Sequence, residues 1–218
     1  MYNLTKRQFG LYVILTDPVT GYATCARAAV RAGIRYLQLR MKNVSTTVYI
    51  KTAAALREIT RGTGTLFIVN DNLEVAVTVD ADGIHLGQND LPVPLARREW
   101  QQPGKIFGLS THSPAQAAAA AEIQPDYIGV GPVFTTPTKA IPDPVLGVQV
   151  MQKIIHNTSL PAVAIGGINR SNLVEVLSHG AVNFSSVRPV TQSNHPYRVI
   201  RELQAEWARQ VLSPTNRD

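Results

Sequence analysis

The sequence predicts a single-domain α/β protein with the (β/α)8 architecture of the TIM barrel. Short apolar runs alternate with amphipathic stretches eight times along the 218 residues, which leaves about 27 residues for each strand–helix pair and favours a parallel sheet. Polar residues follow nearly every predicted strand, as in barrels, whereas an open sheet gathers them at one switch point. No linker or change of composition divides the chain.

Each element follows from local composition. The runs LYVILT and PAVAI are typical of strands buried on both faces. Ser45 offers an N-cap to the second helix, and Gly33 ends the first. The predicted strands cover residues 11–16, 36–40, 65–69, 83–86, 106–109, 127–130, 161–165 and 182–187. The predicted helices cover residues 23–32, 45–61, 73–79, 94–100, 114–122, 148–156, 171–179 and 196–210. The single domain spans residues 1–218, and residues 1–9 and 211–218 are expected to fray.

Composition narrows the class of partner. The 21 Lys and Arg residues exceed the 15 Asp and Glu residues, for a net charge of +6, but they are dispersed and aromatic residues are few, which argues against nucleic acid. No apolar run approaches the ~20 residues that cross a bilayer, and the amino end lacks the pattern of a secretory signal. With one cysteine, Cys25, no intramolecular disulfide forms, and a cytoplasmic location is expected. An excess of basic charge can also suit an anionic membrane surface or phosphorylated small molecules.

The second predicted strand ends in a polar triplet. Strand alternation points Gln38, Arg40 and Lys42 to the same side. Two cations and an amide at a barrel mouth suit a polyanion. The alternative is a solvated strand end with an ordinary ion pair.

Two acids follow the third and fourth strands. Asp71 and Asp90 would be neighbours at the mouth of a barrel, where two close carboxylates repel unless a cation lies between them. Their hard oxygen ligands suit Mg²⁺, which takes its remaining ligands from water and substrate phosphate. The alternative is that both residues are helix N-caps.

The loop after the sixth strand is the strongest single feature. Loops this long in a compact domain are usually functional. Thr136, Thr138 and Lys139 supply two hydroxyls and a cation, and prolines including Pro137 limit its freedom, which lowers the entropy lost on ligand binding.

Three later strand ends carry further candidates. Ser110 could donate to a phosphate oxygen or cap the next helix. His112 could be a general base, but no Ser–His–acid spacing supports that role, and a lone histidine is usually structural or solvated. The Gly166–Gly167 pair would let the backbone approach a phosphate, aided by the following helix N-terminus. Arg188 could bind that phosphate or pair with a surface acid.

These motifs together resemble the thiamine-phosphate synthases. The matching segments keep their order and near-constant spacing: QLRMK (38–42), FIVNDN (67–72), ADGIHLGQNDLP (81–92), GLSTH (108–112), DYIGVGPVFTTPTK (126–139) and PAVAIGGI (161–168). The related thiazole tautomerases differ at the GQ-x-D and T-x-TK segments. The eighth strand departs from the family pattern, because Asn183 stands where glycine is usual and Arg188–Pro189 where Ser-Ala is usual.

The resemblance implies a reaction and its site. Pyrophosphate would leave 4-amino-2-methyl-5-hydroxymethylpyrimidine pyrophosphate by a dissociative route, and the nitrogen of a thiazole phosphate, plain or carboxylated, would attack the carbocation with Mg²⁺ assisting. The only macromolecular partner that the resemblance implies is a further copy of the same protein in a homo-oligomer. The implied catalytic residues are Arg40, Lys42, Ser110 and Lys139. The implied metal ligands are Asp71 and Asp90. The implied contacts of the pyrimidine pyrophosphate are Gln38, Leu39, Arg40, Met41, Lys42, Asn70, Ser110 and Lys139. The implied contacts of the thiazole phosphate are Thr136, Pro137, Thr138, Gly167, Val187 and Arg188.

Two other functions stay open at this point. Arg188–Pro189 motivates a non-catalytic binder of phosphate ligands on the same fold. A thiazole tautomerase would need a proton-transfer residue, for which His85 and His112 are the candidates.

Overall fold

A computed structural model describes residues 8–137 and 143–212, which form a closed barrel of eight parallel strands in sequence order. The strands are β1 Gly10–Leu15, β2 Tyr36–Leu39, β3 Leu66–Asn70, β4 Gly83–Leu86, β5 Ile106–Thr111, β6 Tyr127–Val130, β7 Ala162–Ala164 and β8 Asn183–Ser185. The helices are α1 Tyr22–Arg31, α2 Thr46–Thr60, α3 Leu73–Thr78, α4 Val93–Glu99, α5 Pro114–Ile123, α6 Gly147–Asn157, α7 Leu173–Ser178, α8 Arg188–Thr191 and α9 Pro196–Val211. The predicted barrel is confirmed.

The carboxyl end of β8 differs from the prediction. The predicted strand over residues 182–187 is only three residues long, and a one-turn helix, α8, begins at Arg188. Proline in the first turn of a helix has a suitable φ and loses no hydrogen bond, so Pro189 explains the early end of the extended chain. The strand prediction was wrong for these last residues.

Two apolar clusters hold the barrel. The larger one fills the space between the strands and the surrounding helices. The smaller one lies inside the barrel and is dominated by aromatic rings; its buried members are Phe9, Tyr12, Ile14, Tyr36, Ile68, Tyr127 and Val163. The strands are therefore buried on both faces, as their nearly unbroken apolar sequences predicted.

Asn183 joins the strands where the barrel closes. Its Oδ1 accepts hydrogen bonds from the N–H groups of Phe9 (2.7 Å) and Gly10 (3.1 Å), and its Nδ2 donates to the carbonyl of Ala162 (3.1 Å). The side chain is fully buried. It lies at the amino end of β8, opposite the strand ends that carry the candidate site, so this departure from the family pattern serves barrel closure.

Part of the prediction concerns residues outside the described ranges. Residues 1–7 and 213–218, which make up most of the ends predicted to fray (1–9 and 211–218), and the loop residues Thr138 and Lys139 lie outside the described ranges. Phe9 is buried, and α9 extends through Val211. Among the described helices, none combines the length and the apolar character that crossing a membrane requires.

Candidate active site

A cavity of about 840 Å³ opens at the carboxyl ends of the strands. Arg40 reaches it from the end of β2 and Ser110 from β5. The segments after β6, β7 and β8 supply most of the remaining wall. Of the residues predicted for the site, those that line the cavity are Arg40, Ser110, Thr136, Pro137, Gly167, Val187 and Arg188.

An acidic pair lies at the neighbouring ends of β3 and β4. Lys42 forms an ion pair with Asp71, and the carboxyl groups of Asp71 and Asp90 lie close enough to interact directly. Partial burial, followed by the contact with Asp71, raises the pKa of Asp90. Asp90 also accepts a hydrogen bond from the N–H of Gly87 at 2.6 Å. The sequence-based expectation that these acids lie close together is therefore met.

Neither acid is a helix N-cap. Asn72 caps α3 by accepting from the N–H of Val75 at 2.9 Å, and α4 begins after Pro92. Asp71 instead adopts a left-handed backbone with a φ of 64°, a conformation that Asp tolerates better than most residues. The helix-cap alternative was wrong for both residues.

The acidic pair fits a magnesium ion. Two carboxylates in contact repel less when a divalent cation lies between them. Within residues 8–137 and 143–212, no third His, Cys, Asp or Glu completes a protein-only metal site. Mg²⁺ typically uses one or two carboxylates and takes its other ligands from water and phosphate, which is the donor set available here.

A tyrosine of α2 ties the ends of β2 and β3 together. The hydroxyl of Tyr49 lies 2.8 Å from the carbonyl oxygen of Leu39 and 2.9 Å from that of Asn70. It also accepts from the N–H of Asn70 at 3.2 Å. These bonds fix the strand ends from which Arg40 and Asp71 extend, a role that no sequence motif indicated.

Ser110 is held from two sides. Its Oγ lies 2.9 Å from Nε2 of His85, and its carbonyl accepts from the side chain of Gln88 at 2.5 Å. Ser113, and not Ser110, caps α5. His112 donates from Nδ1 to the carbonyl of Gly131 at 2.6 Å and also lines the cavity.

The glycine pair after β7 permits a close approach between two loops. Gly166 and Gly167 have φ values of 98° and 68°. A Cβ on Gly167 would lie 2.7 Å from the Cβ of Phe134, so any side chain there would displace the loop after β6. The next helix begins only at Leu173, so the expected helix N-terminus does not directly follow the pair.

Ser185 is a cavity residue that the sequence analysis missed. Its side chain is almost fully buried and lines the cavity, and its hydroxyl has no hydrogen-bond partner among the described residues. Buried hydroxyls are normally bonded, so Ser185 offers an unused group to a ligand. Strand alternation was the available signal, because Ser185 falls on the same face as the candidate Val187 in the predicted strand 182–187.

Comparison with known proteins identifies the family. The sequence profile described as thiamine monophosphate synthase matches residues 11–190. The chain belongs to this family. A thiamine-phosphate synthase of Pelotomaculum thermopropionicum is 44% identical over 181 residues, which cover 83% of this chain and 82% of the relative. A thiamine-phosphate synthase of Synechocystis is 39% identical over 203 residues; the match covers 93% of this chain but only 58% of that longer relative.

A solved structure agrees with this assignment. The thiamine phosphate pyrophosphorylase of Pyrococcus furiosus superposes with a TM-score of 0.85 at 32% sequence identity. The match covers 94% of this chain and 98% of the Pyrococcus chain. The family and the barrel therefore agree across nearly the whole chain.

Proposed function

We propose that the chain is a thiamine-phosphate synthase that joins 4-amino-2-methyl-5-hydroxymethylpyrimidine pyrophosphate to a thiazole phosphate and releases pyrophosphate. The observation that carries this proposal is that basic side chains and a pair of acids lie together at the carboxyl end of the barrel. Arg40 lines the cavity, and two residues further on Lys42 pairs with the acid that contacts Asp90. A pyrophosphate needs such an arrangement of cations beside a metal-binding acid pair.

The reaction requires a leaving group and a nucleophile but no protein nucleophile. The bond between the pyrimidine methylene carbon and the pyrophosphate oxygen breaks, and its electron pair stays on that oxygen. The thiazole nitrogen then gives its lone pair to the carbon. Arg40 and Lys42 stabilise the negative charge that develops on pyrophosphate. Within the described ranges, the guanidinium of Arg40 makes no hydrogen bond or ion pair, so it is available to the ligand.

Asp71 and Asp90 would hold Mg²⁺, whose charge would help neutralise the departing pyrophosphate. Gln38 and Asn70 would contact the pyrimidine pyrophosphate, as would Lys139. The thiazole phosphate would bind on the opposite wall, against Thr136, Gly167 and Arg188. Its carboxylated form remains a second possible substrate.

The competing functions are less well supported. A tautomerase needs an accessible proton-transfer group, but both ring nitrogens of His85 contact other side chains and His85 does not line the cavity. His112 lines the cavity, but its Nδ1 is bonded to the backbone carbonyl of Gly131 and its Nε2 lies 3.7 Å from Oδ2 of Asp143. A non-catalytic binder would not need a metal-binding acid pair beside the cavity.

A turnover assay tests the proposed function. The protein is incubated with Mg²⁺, the pyrimidine pyrophosphate and either the plain or the carboxylated thiazole phosphate, and products are separated by chromatography. Thiamine phosphate and pyrophosphate should appear in equal amounts. Tight binding of thiamine phosphate by calorimetry, without turnover of either thiazole at saturation, would support the non-catalytic binder and overturn the proposal.

A further inference from the structure

Five polar side chains form a continuous chain of hydrogen bonds through the barrel interior. Nε2 of Gln38 donates to the hydroxyl of Tyr12 at 2.9 Å, and that hydroxyl lies 2.8 Å from the hydroxyl of Tyr127. The hydroxyl of Tyr127 lies 3.0 Å from Nδ1 of His85. Nε2 of His85 lies 2.9 Å from Oγ of Ser110, which lines the cavity.

The direction of this chain follows from counting protons. The amide nitrogen of Gln38 can only donate, so the oxygen of Tyr12 accepts. Among the described residues the Tyr12 hydroxyl contacts only Gln38 and Tyr127, and a buried hydroxyl proton is normally hydrogen-bonded, so the single proton of Tyr12 goes to Tyr127. Tyr127 accepts that bond and gives its own proton to Nδ1 of His85. Nδ1 is then an acceptor, so the neutral imidazole carries its proton on Nε2 and donates to Ser110.

The buried surroundings preserve this direction of the hydrogen bonds. Tyr12 and Tyr127 are 2% and 3% exposed, and burial raises the pKa of both phenols, so that both stay neutral. Gly108 leaves the space in which the rings meet: a Cβ there would lie 2.2 Å from Cζ of Tyr127 and 2.6 Å from Nδ1 of His85. A side chain on β5 at this point would separate the two groups.

We propose that this chain fixes His85 in its Nε2–H tautomer and thereby reserves the O–H of Ser110 for the ligand in the cavity. Because Ser110 already accepts from His85, its own proton is free to point toward the cavity. His85 acts through Ser110 and is a positioning residue. This inference rests on the proposed function, in which the recipient is a pyrophosphate oxygen that gains negative charge as the carbon–oxygen bond breaks. Ser110 donates a hydrogen bond there and transfers no proton.

The tautomer is measured directly by nitrogen–proton correlation NMR of the full chain labelled with ¹⁵N. The variant His85→Gln identifies the His85 signals among those of the five histidines. The proposal expects a neutral ring with the proton on Nε2. A proton on Nδ1, or on both nitrogens, would overturn it. This readout needs no substrate, so it stands even if the turnover assay fails.

Kinetics test the consequence for Ser110. Tyr127→Phe removes the donor to Nδ1 and should lower kcat on the order of tenfold, about the value of one hydrogen bond, with KM for both substrates within about twofold. The matched control is Tyr36→Phe. Tyr36 lies in the same aromatic cluster, with its ring centroid 5.9 Å from that of Tyr127, but its hydroxyl is outside the chain. Unchanged kcat in Tyr127→Phe, or an equal loss in both variants, would contradict the proposed positioning role.

Discussion

Single side chains at the barrel mouth carry charge that the protein does not use for its own folding. Arg188 is exposed at the start of α8 and lines the cavity. No described residue forms an ion pair or hydrogen bond with its guanidinium. Pro189, which follows it, lacks a backbone N–H to offer a phosphate. The charge of Arg188 can replace that missing donor, so this departure from the family pattern is compatible with phosphate binding.

Replacing Arg188 should therefore weaken substrate binding without affecting stability. We expect Arg188→Ala to raise KM for the thiazole phosphate by about tenfold, the loss of one charge-assisted hydrogen bond, with little change in kcat. The free energy of unfolding should change by less than about 0.5 kcal/mol, because the side chain is exposed. Steady-state kinetics and urea denaturation measure both quantities. Arg198→Ala, an exposed residue of α9 paired with Glu202, is the control, and equal KM values in the two variants would contradict the assignment.

The elements at the other end of the barrel stabilise the fold. Asn183 joins β8 to the start of β1 and to β7 through three hydrogen bonds. Asp80, between α3 and β4, accepts from Lys105 at 2.6 Å and lies 3.7 Å from a guanidinium nitrogen of Arg57. Both groups are remote from the cavity. Changes to them should therefore lower the free energy of unfolding more than they lower the rate of the reaction.

Asn183→Ala should lower the free energy of unfolding by about 2–4 kcal/mol, because it leaves buried backbone groups without partners. Chemical denaturation at neutral pH measures this loss. Asn183→Asp is the matched variant: it keeps the acceptor for Phe9 and Gly10 but cannot donate to Ala162. A loss below about 1 kcal/mol in Asn183→Ala would show that the barrel closes without this side chain.

Asp80 should make stability depend on pH in the acid range. Lys105 lowers the pKa of Asp80, so its contribution is present above the ordinary Asp pKa of about 4 and is lost as the pH falls through the lower folded value. Because the side chain is 54% exposed, the contribution should be only about 0.5 kcal/mol. Asp80→Asn should therefore be less stable than the parent at pH 7 and equally stable near pH 2 in urea denaturation. A constant difference across this range would exclude the ionic explanation.

The sequence was sufficient for the elements that depend on local pattern. Apolar runs and caps such as Ser45 placed the strands and most helix ends. The contact between Asp71 and Asp90 followed from the adjacency of strand ends. The hydrogen bonds of Tyr49 and Asn183 could not be predicted, because they depend on the register of distant strands. The environment of the Ser185 hydroxyl, which has no hydrogen-bond partner among the described residues, depends on the same register.

At the scale of the whole molecule, the barrel separates stability from chemistry. Its amino end is closed by Asn183 and by the ion pairs of Asp80, in the α3–β4 loop, with Arg57 of α2 and with Lys105, which precedes β5. Its carboxyl end gathers the cavity, the acidic pair and the cations Arg40, Lys42 and Arg188. This division is general in TIM barrels, whose active sites lie at the carboxyl ends of the strands. The chain of hydrogen bonds from Gln38 to Ser110 connects opposite sides of the carboxyl end of the barrel.

The central claim is that cations and a metal-binding acid pair converge at this mouth to stabilise a departing pyrophosphate. The most direct test is the single-turnover rate of thiamine phosphate formation, measured against Mg²⁺ concentration in the parent and in the double variant Asp71→Asn, Asp90→Asn. The double variant should be slower by on the order of 10²–10³ and should no longer respond to Mg²⁺, while its circular dichroism stays that of the parent. A folded double variant with the parent's rate and Mg²⁺ dependence would contradict the account.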